Sequence, residues 1–303
     1  MKPKIIAAAL AVASTAFLTS CGGGNSNTTP ADSVQTADTK AASAIQKRAE
    51  SNVDWEHPLL TVNDKGDTLE IWTYNDKGLV IQHNCNYDLK DENSYKYDDQ
   101  GRMVWHYSIT YSGNNHESEY KYAYKGNLRI GEGSEMAEGW QSYFDVKELA
   151  YYLDPECKYD TLTQTYEMEI PWDESDKVHD HDVTNQPPTS YTTTTYKKSG
   201  DKYLPVEQKC YRRDFDDTSK TVLSFRFVYE YNSNGLITKE TDYDSNQNLS
   251  ATITYEYNSD GLVVKKTHKY GNQESVTTYS YNDNVQTEVN SEDTFKTYYK
   301  KKK

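Results

Sequence analysis

Apolar and polar residues alternate along much of this chain, and the same kind of turn interrupts the alternation at short intervals. The clearest stretch runs from Tyr255 to Lys266, where aromatic or aliphatic residues at every second position flank Asn258-Ser259-Asp260-Gly261. A period of two is typical of a β-strand with one buried face. Asn at the start of a turn and Gly at its end, where φ is positive, favour a tight hairpin. The stretch therefore predicts strand, turn and strand.

The same pattern recurs along the chain. Two weaker copies lie around residues 122–128 and 279–285. A single hairpin is marginal in water, so neighbouring hairpins must pair edge to edge to bury their apolar face. The predicted fold is all-β, an elongated antiparallel meander of repeated β-hairpins. The turns of the clear copies end at glycines that we interpret as structural: Gly78, Gly101, Gly235 and Gly261.

The turn also predicts which residues face each other. Placing Tyr257 opposite Leu262 sets Tyr255 against Val264. A bulge at the glycine would shift this register by one residue.

One copy, Tyr97-Asp98-Asp99-Gln100-Gly101-Arg102-Met103, resembles the Tyr-Asp (YD) repeat of rearrangement-hotspot and teneurin-type proteins. The other copies depart from it, with Asn at positions 75, 232 and 258 and Leu at 79, 236 and 262. The resemblance covers less than half of the chain and implies an array of β-hairpins. In large members, dozens of repeats form a shell around another polypeptide, and six or so copies are too few for that. The chain is also similar in composition to short secreted lipoproteins of Bacteroides type.

The N-terminus carries a targeting signal. Lys2 and Lys4 precede an apolar run, Ile5 to Leu18, which is too short to span a bilayer. Leu18-Thr19-Ser20-Cys21 then resembles a bacterial lipobox, which implies cleavage before Cys21 and its acylation. Glycine after Cys21 is similar to lipoproteins of the outer membrane, on the periplasmic or the cell-surface side. We expect a membrane contact through this lipid alone.

The middle of the chain is less regular. Residues 145–153 fit a short helix that begins with capping-box spacing, or equally another strand. Residues 161–170 alternate as a strand does, Ser199 to Lys202 resembles a hairpin turn, and Pro205 suggests an edge or a bulge. The expected organisation is a signal peptide at 1–20, a disordered tether at 21–50, a first hairpin block at 51–135, an irregular β segment with an acidic loop at 136–200, a second hairpin block at 201–290 and a solvated basic tail at 291–303.

Composition and charge exclude some functions. The chain has 28 Tyr and 6 Phe, so a thin, tyrosine-rich sheet is expected whose hydroxyls reach water or polar partners. A net charge of −14 argues against nucleic acid as a partner. Besides Cys21 there are Cys85, Cys157 and Cys210, without zinc or redox spacing. At most one disulfide can form among them, for example between Cys157 and Cys210.

Three groups of residues are candidate sites. His179, His181 and Asp182 have side chains that bind metals, although a charged loop is usually only solvated. Glu167 and Glu169 would share one strand face, and paired carboxylates can do glycosidase chemistry, although a solvated or cross-strand role is favoured. Trp and Tyr residues could form a flat platform that stacks on sugars, although the core is the favoured place for these rings. The candidate platform residues are Trp72, Trp105, Tyr255 and Tyr257.

These observations favour a non-enzymatic, lipid-anchored repeat protein that presents a sheet surface to a protein or envelope partner. The first alternative is a glycan-binding lipoprotein that uses the aromatic platform. The second is a hydrolase with its site in residues 140–190. No cofactor is indicated, and no catalytic residue is assigned.

Overall fold

The computed structural model describes residues 51–87, 89–111, 115–137, 142–171, 184, 186–214 and 216–302. The chain divides into two compact units, residues 1–35 and 36–303, and all the described residues belong to the second. None of the helices in the described part is long and apolar enough to cross a membrane.

The second unit is all-β, with eighteen strands in the described residues. The first nine are β1 (Val53–Val62), β2 (Thr68–Tyr74), β3 (Val80–Asn86), β4 (Lys90–Tyr97), β5 (Met103–Tyr111), β6 (His116–Lys125), β7 (Leu128–Ala137), β8 (Ser142–Tyr152) and β9 (Asp160–Pro171). The others are β10 (Ser190–Ser199), β11 (Lys202–Arg213), β12 (Thr221–Tyr231), β13 (Ile237–Tyr243), β14 (Leu249–Tyr257), β15 (Val263–Tyr270), β16 (Gln273–Asn282), β17 (Val285–Val289) and β18 (Thr294–Lys301).

The sheet closes on itself. Each strand pairs antiparallel with the next along the chain, and β18 pairs with β1 through Val53 and Lys301 at one end and Val62 and Lys296 at the other. The antiparallel meander of hairpins predicted from the sequence is confirmed, and its closure into a barrel leaves no open edge. Strands of both predicted hairpin blocks and of the segment between them belong to this one sheet. The less regular strands therefore close the barrel together with the clear repeats.

The turn between β14 and β15 shows why the repeated motif folds as it does. The Asn258 side-chain oxygen accepts from the backbone N–H of Asp260 at 3.0 Å and of Leu262 at 2.9 Å. Gly261 has φ of +73°. The glycine forms a bulge, so Tyr257 pairs with Val263 and Tyr255 with Lys266. The register that set Tyr257 against Leu262 and Tyr255 against Val264 is therefore wrong. The partner of Tyr257 lies one residue further along and that of Tyr255 two, because the register shifts between Glu256 and Tyr257.

Two further turns have this geometry. At the β1–β2 turn Asn63 accepts from the N–H of Lys65 and Asp67, and Gly66 has φ of +87°. At the β13–β14 turn Asp244 accepts from the N–H of Asn246 and Asn248, and Gln247 takes the glycine position with φ of +63°. The Asp244 turn thus forms the same side-chain hydrogen bonds without a glycine, at the cost of positive φ in a residue that has a Cβ.

The helix considered over residues 145–153 is wrong, because residues 145–152 belong to β8. Asp145 pairs with Met168 on β9, and Leu149 pairs with Gln164. Pairing on both sides of β8 outweighs the local capping signal. The strand expected over 161–170 is β9, and a register shift occurs where Pro205 pairs with Tyr196. Residues 294–301, interpreted from the sequence as part of a solvated tail, form β18.

The two ends of the barrel differ. Even-numbered strands lead into short turns at one end, here called the turn end, and six of the eight positive-φ glycines lie in turns there: Gly78, Gly101, Gly126, Gly200, Gly235 and Gly261. The chain also enters at the turn end, where the N–H of Lys302 donates to the carbonyl of Asn52 at 2.7 Å. The opposite end, called the loop end, carries the longest connection, between Pro171 and Ser190.

Contacts that skip strands identify the inner face of the barrel. Trp55 on β1 and Tyr281 on β16 are three strands apart around the sheet, yet their ring centroids lie 5.1 Å apart. Neighbouring strands are about 4.8 Å apart, so side chains meet over such a span only where the face is concave. The face that bears Tyr281 is therefore the inner wall. Tyr279 lies on the same face of β16 as Tyr281 and pairs with Glu288 of β17, so Glu288 also faces inward. The strand register assigns the inward-facing residues of the other strands in the same way.

Candidate functional site

A row of tyrosines lines the inner wall close to the turn end. In most even-numbered strands the tyrosine before the turn donates its hydroxyl hydrogen to a backbone carbonyl of the preceding strand. In five of the seven cases this carbonyl belongs to the first residue of that strand. The bonds are Tyr74 to Pro58, Tyr97 to Val80, Tyr124 to Met103, Tyr196 to Asp160, Tyr231 to Pro205, Tyr257 to Ile237 and Tyr281 to Val263.

The inner wall between β13 and β17 is charged. Burial raises the pKa of the Glu240 carboxyl, Asp242 raises it further, and Lys266 opposes the shift. Burial likewise raises the pKa of Asp242, which His268 lowers in part. One oxygen of Asp242 is buried and has no hydrogen-bond partner within the described residues. The inner wall therefore holds carboxylates whose burial is offset only in part by the nearby positive charges of Lys266 and His268.

A second charged group lies on β2 and β3, near the loop end. Glu70 pairs across the sheet with Cys85, and His83 is two residues before Cys85 on the same face. His83 Nε2 is 3.4 Å from Cys85 Sγ and 3.8 Å from Glu70 Oε1. One ligand atom from each of the three residues lies within 4.8 Å of the others, and all three are half-buried. Among the described residues, this is the one group of such side chains with metal-ligand spacing.

The electrostatics of this group favour a cation. Burial lowers the pKa of His83, but hydrogen bonds and charges from Cys85 and Glu70 outweigh it and raise the pKa to about 9. Burial and Glu70 both raise the pKa of the Tyr87 hydroxyl, to which the more distant Glu288 also contributes. The protonated form of the His83 imidazole is thus stabilised, and a metal that binds Nε2 would displace this proton.

Neighbouring side chains orient the imidazole. The Trp72 ring stacks on that of His83, with centroids 4.8 Å apart and planes 10° from parallel. On the other side, Asp91 of β4 pairs directly with Cys85. One Asp91 carboxylate oxygen is buried and finds no hydrogen-bond partner in the part of the chain that the structure describes.

The outer wall has a different chemistry. Lys239 and Glu230 are 2.9 Å apart, and Lys265 and Glu256 are 2.8 Å apart, each pair joining adjacent strands with both side chains exposed. Such exposed pairs add little stability, but they keep the wall hydrated.

The aromatic residues singled out from the sequence do not assemble into one platform. The strand register places Trp72, Tyr255 and Tyr257 on the inner wall and Trp105 on the outer wall. Trp105 donates from Nε1 to Glu119 at 2.7 Å, and the Lys96 ammonium lies 4.2 Å from its ring centroid. Trp105 therefore lies on the opposite face of the sheet from the other three residues of the predicted platform.

Glu167 and Glu169 do share one face, the inner wall, opposite Val146 and Phe144. Burial and Glu135 raise the pKa of Glu167, while Arg213 lowers it.

Cys85, Cys157 and Cys210 are all free thiols, so the disulfide considered between Cys157 and Cys210 is absent. The lipidation residue and the predicted histidine site lie outside the described residues: Cys21, His179, His181 and Asp182.

Sequence reasoning missed the group formed by Glu70, His83 and Cys85. The spacing of His83 and Cys85, two apart on a strand, places both on one face and was the available signal. Glu70 joins them only through the register of β2 and β3.

Comparison of the chain with protein-family models and with curated proteins gives no match. Similar solved structures include a porin-like protein from Bacteroides uniformis, with a TM-score of 0.41 and 14% identity over 72% of this chain and 93% of that one. Another is a porin-like protein from Bacteroides vulgatus, with a TM-score of 0.33 and 11% identity over 75% and 99%. The Photorhabdus luminescens Tc holotoxin pore matches with a TM-score of 0.20 and 10% identity over 83% of this chain and 13% of that one. Likeness at this level supports no statement about function.

Proposed function

We propose that this chain is a non-enzymatic, lipid-anchored protein of the bacterial outer membrane that binds a protein or envelope partner. In this proposal the lipid on Cys21 is the only membrane contact. The loop end of the barrel is the end that reaches the partner.

The entry point of the chain carries the proposal. Val53 pairs with Lys301 at the turn end, so any tether that precedes residue 51 joins the barrel there. A barrel tethered at the turn end holds its loop end away from the lipid. The longest connection, between Pro171 and Ser190, then lies at the outward end.

The outer wall supports a barrel in water rather than in lipid. Lys147 and Glu132 pair on it in the middle of β8 and β7, and Arg226 and Glu207 pair on it in the middle of β12 and β11. A lysine or arginine facing the middle of a bilayer costs about 2–4 kcal/mol, so a wall that bears such charges at mid-strand is unsuited to hydrocarbon. Anchoring by lipid and hydration of the wall are consistent with each other.

The inner wall supports binding more than catalysis. Glu167 and Glu169 are two residues apart on one strand, and burial raises the pKa of Glu167. Raised carboxyl pKa values also occur at Glu240, Asp242 and Glu288, spread over β13 and β17. Because they recur around the wall, they reflect burial in a thin sheet rather than one specialised acid.

The anchor is tested by expressing the full chain and its Cys21→Ser variant in a Gram-negative host. We expect the wild type in the detergent phase after Triton X-114 separation and the variant in the aqueous phase. Cys157→Ser is the matched control and should stay in the detergent phase. A Cys21→Ser protein that remains in the detergent phase would refute lipid anchoring.

The orientation is tested by a photo-crosslinking residue at Asn246, at the loop end, or at Asp76, at the turn end. Both positions are exposed turn residues. In intact cells we expect a discrete covalent adduct from position 246 and none from position 76. The opposite pattern would contradict the proposed orientation.

A further inference from the structure

We propose that Glu70, His83 and Cys85 form a binding site for a divalent transition metal of the zinc class, just inside the loop end of the barrel. This site is separate from the anchor and from the partner-binding role proposed above.

The ligand spacing is close to what zinc requires. Zinc binds imidazole nitrogen and carboxylate oxygen at about 2.0–2.2 Å and thiolate sulfur at about 2.3 Å. In a tetrahedral site these lengths place sulfur and nitrogen about 3.6 Å apart, and nitrogen and oxygen about 3.4 Å apart. The observed separations are 3.4 Å between Cys85 Sγ and His83 Nε2, and 3.8 Å between His83 Nε2 and Glu70 Oε1. These two separations differ from the tetrahedral values by a few tenths of an ångström, and the Glu70 oxygen and Cys85 Sγ lie within 4.8 Å of each other.

The sheet brings the ligands together without strain. Glu70 and Cys85 are directly paired residues of adjacent antiparallel strands, so their side chains project side by side. His83 and Cys85 alternate on one strand and point to the same face. Three ligands on two paired strands thus share a rigid support, unlike ligands carried on a loop.

The donor set selects the metal. A thiolate, an imidazole and a carboxylate together suit zinc and related borderline metals, whereas calcium and magnesium require oxygen ligands alone. Three protein ligands leave the fourth position of a tetrahedral zinc for water or for another donor. Asp91 pairs with Cys85 from β4 but is outside the group whose ligand atoms lie within 4.8 Å of one another, so the fourth position is left to water.

The surroundings already hold the site in a binding geometry. The Trp72 ring stacks on the imidazole and sets its plane. His83 Nε2, the atom nearest both Cys85 and Glu70, is the nitrogen that binds the metal. Glu70 and His83 keep 20% and 26% of their side-chain surface exposed, so an ion can reach them from the loop end.

The site is tested with Co²⁺ added to the metal-free full chain in which Cys21→Ser removes the anchor thiol. We expect one Co²⁺ per chain and a thiolate-to-cobalt charge-transfer band, which added Zn²⁺ displaces. Cys85→Ser should abolish the band, and Glu70→Gln or His83→Gln should weaken Co²⁺ binding at least about tenfold.

Control variants separate this site from other metal-binding residues. Cys157→Ser and Cys210→Ser should keep the band, because neither thiol belongs to the group. The double variant His179→Ala/His181→Ala should keep it as well, since it contains no thiolate change. Circular dichroism confirms that each variant is folded. A band that survives Cys85→Ser, or the absence of saturable Co²⁺ binding by the folded wild type, would overturn the proposal.

Discussion

The inner-wall tyrosines predict a specific loss of stability for Tyr257→Phe. The Tyr257 hydroxyl donates to the carbonyl of Ile237 at 2.6 Å in a partly buried position. Removing a hydrogen bond costs about 0.5–1.5 kcal/mol net, and a carbonyl left without water costs about 1–3 kcal/mol. Because the site is partly buried, we expect the free energy of unfolding to fall by about 1–2 kcal/mol.

Tyr255→Phe is the matched control. It removes the same atom two residues away, on the same strand and the same face, where the hydroxyl donates no hydrogen bond within the described residues. We expect its free energy of unfolding to change by less than about 0.5 kcal/mol, the size of an ordinary surface substitution.

The assay is equilibrium urea unfolding of the full chain with Cys21→Ser, followed by circular dichroism. Tyr257→Phe should lower the midpoint without changing the dependence of the free energy on urea, since the area exposed on unfolding is the same. If both variants unfold at the same midpoint, the hydroxyl bond contributes nothing and the assigned role of the tyrosine row is wrong.

Two further predictions concern turns and buried charge. Gly261→Gln should destabilise the barrel by about 1 kcal/mol, and Gln247→Gly should stabilise it by a similar amount, because both positions have positive φ; equal melting temperatures in all three proteins would contradict this. Asp242→Asn should stabilise the barrel at pH 7 by about 1 kcal/mol. Burial raises the pKa of Asp242 above its unfolded value, so the aspartate costs stability as pH rises through the folded pKa. The gain should therefore disappear below pH 4, and a pH-independent gain would refute this cause.

The hairpins were predictable because their signals are local. Asn258 and Gly261 form their turn with neighbours two to four residues away, and alternation identifies strand faces without tertiary information. The turn at Asp244 has no glycine signal, because Gln247 stands at the position of positive φ and only the Asp244 side chain indicates the turn. Residues 145–153 were ambiguous because capping and alternation conflict over so short a range.

The candidate site was not predictable in the same way. Glu70 and Cys85 are fifteen positions apart and meet only because the bulge at the β2–β3 turn sets their register. A shift of one residue would send Glu70 to the opposite wall. The same dependence explains why Trp72 and Trp105, grouped from the sequence, lie on different walls.

The sequence by itself determined the strand period, the turn chemistry and the tyrosine-rich character of the sheet, since each rests on interactions between near neighbours. Only the tertiary structure decided that the sheet closes, because the pairing of Val53 with Lys301 joins the two ends of the described chain. Closure also decided which face became the interior and which side chains share it. Alternation separates two faces of a strand, but curvature, a property of the whole sheet, makes one of them the inside.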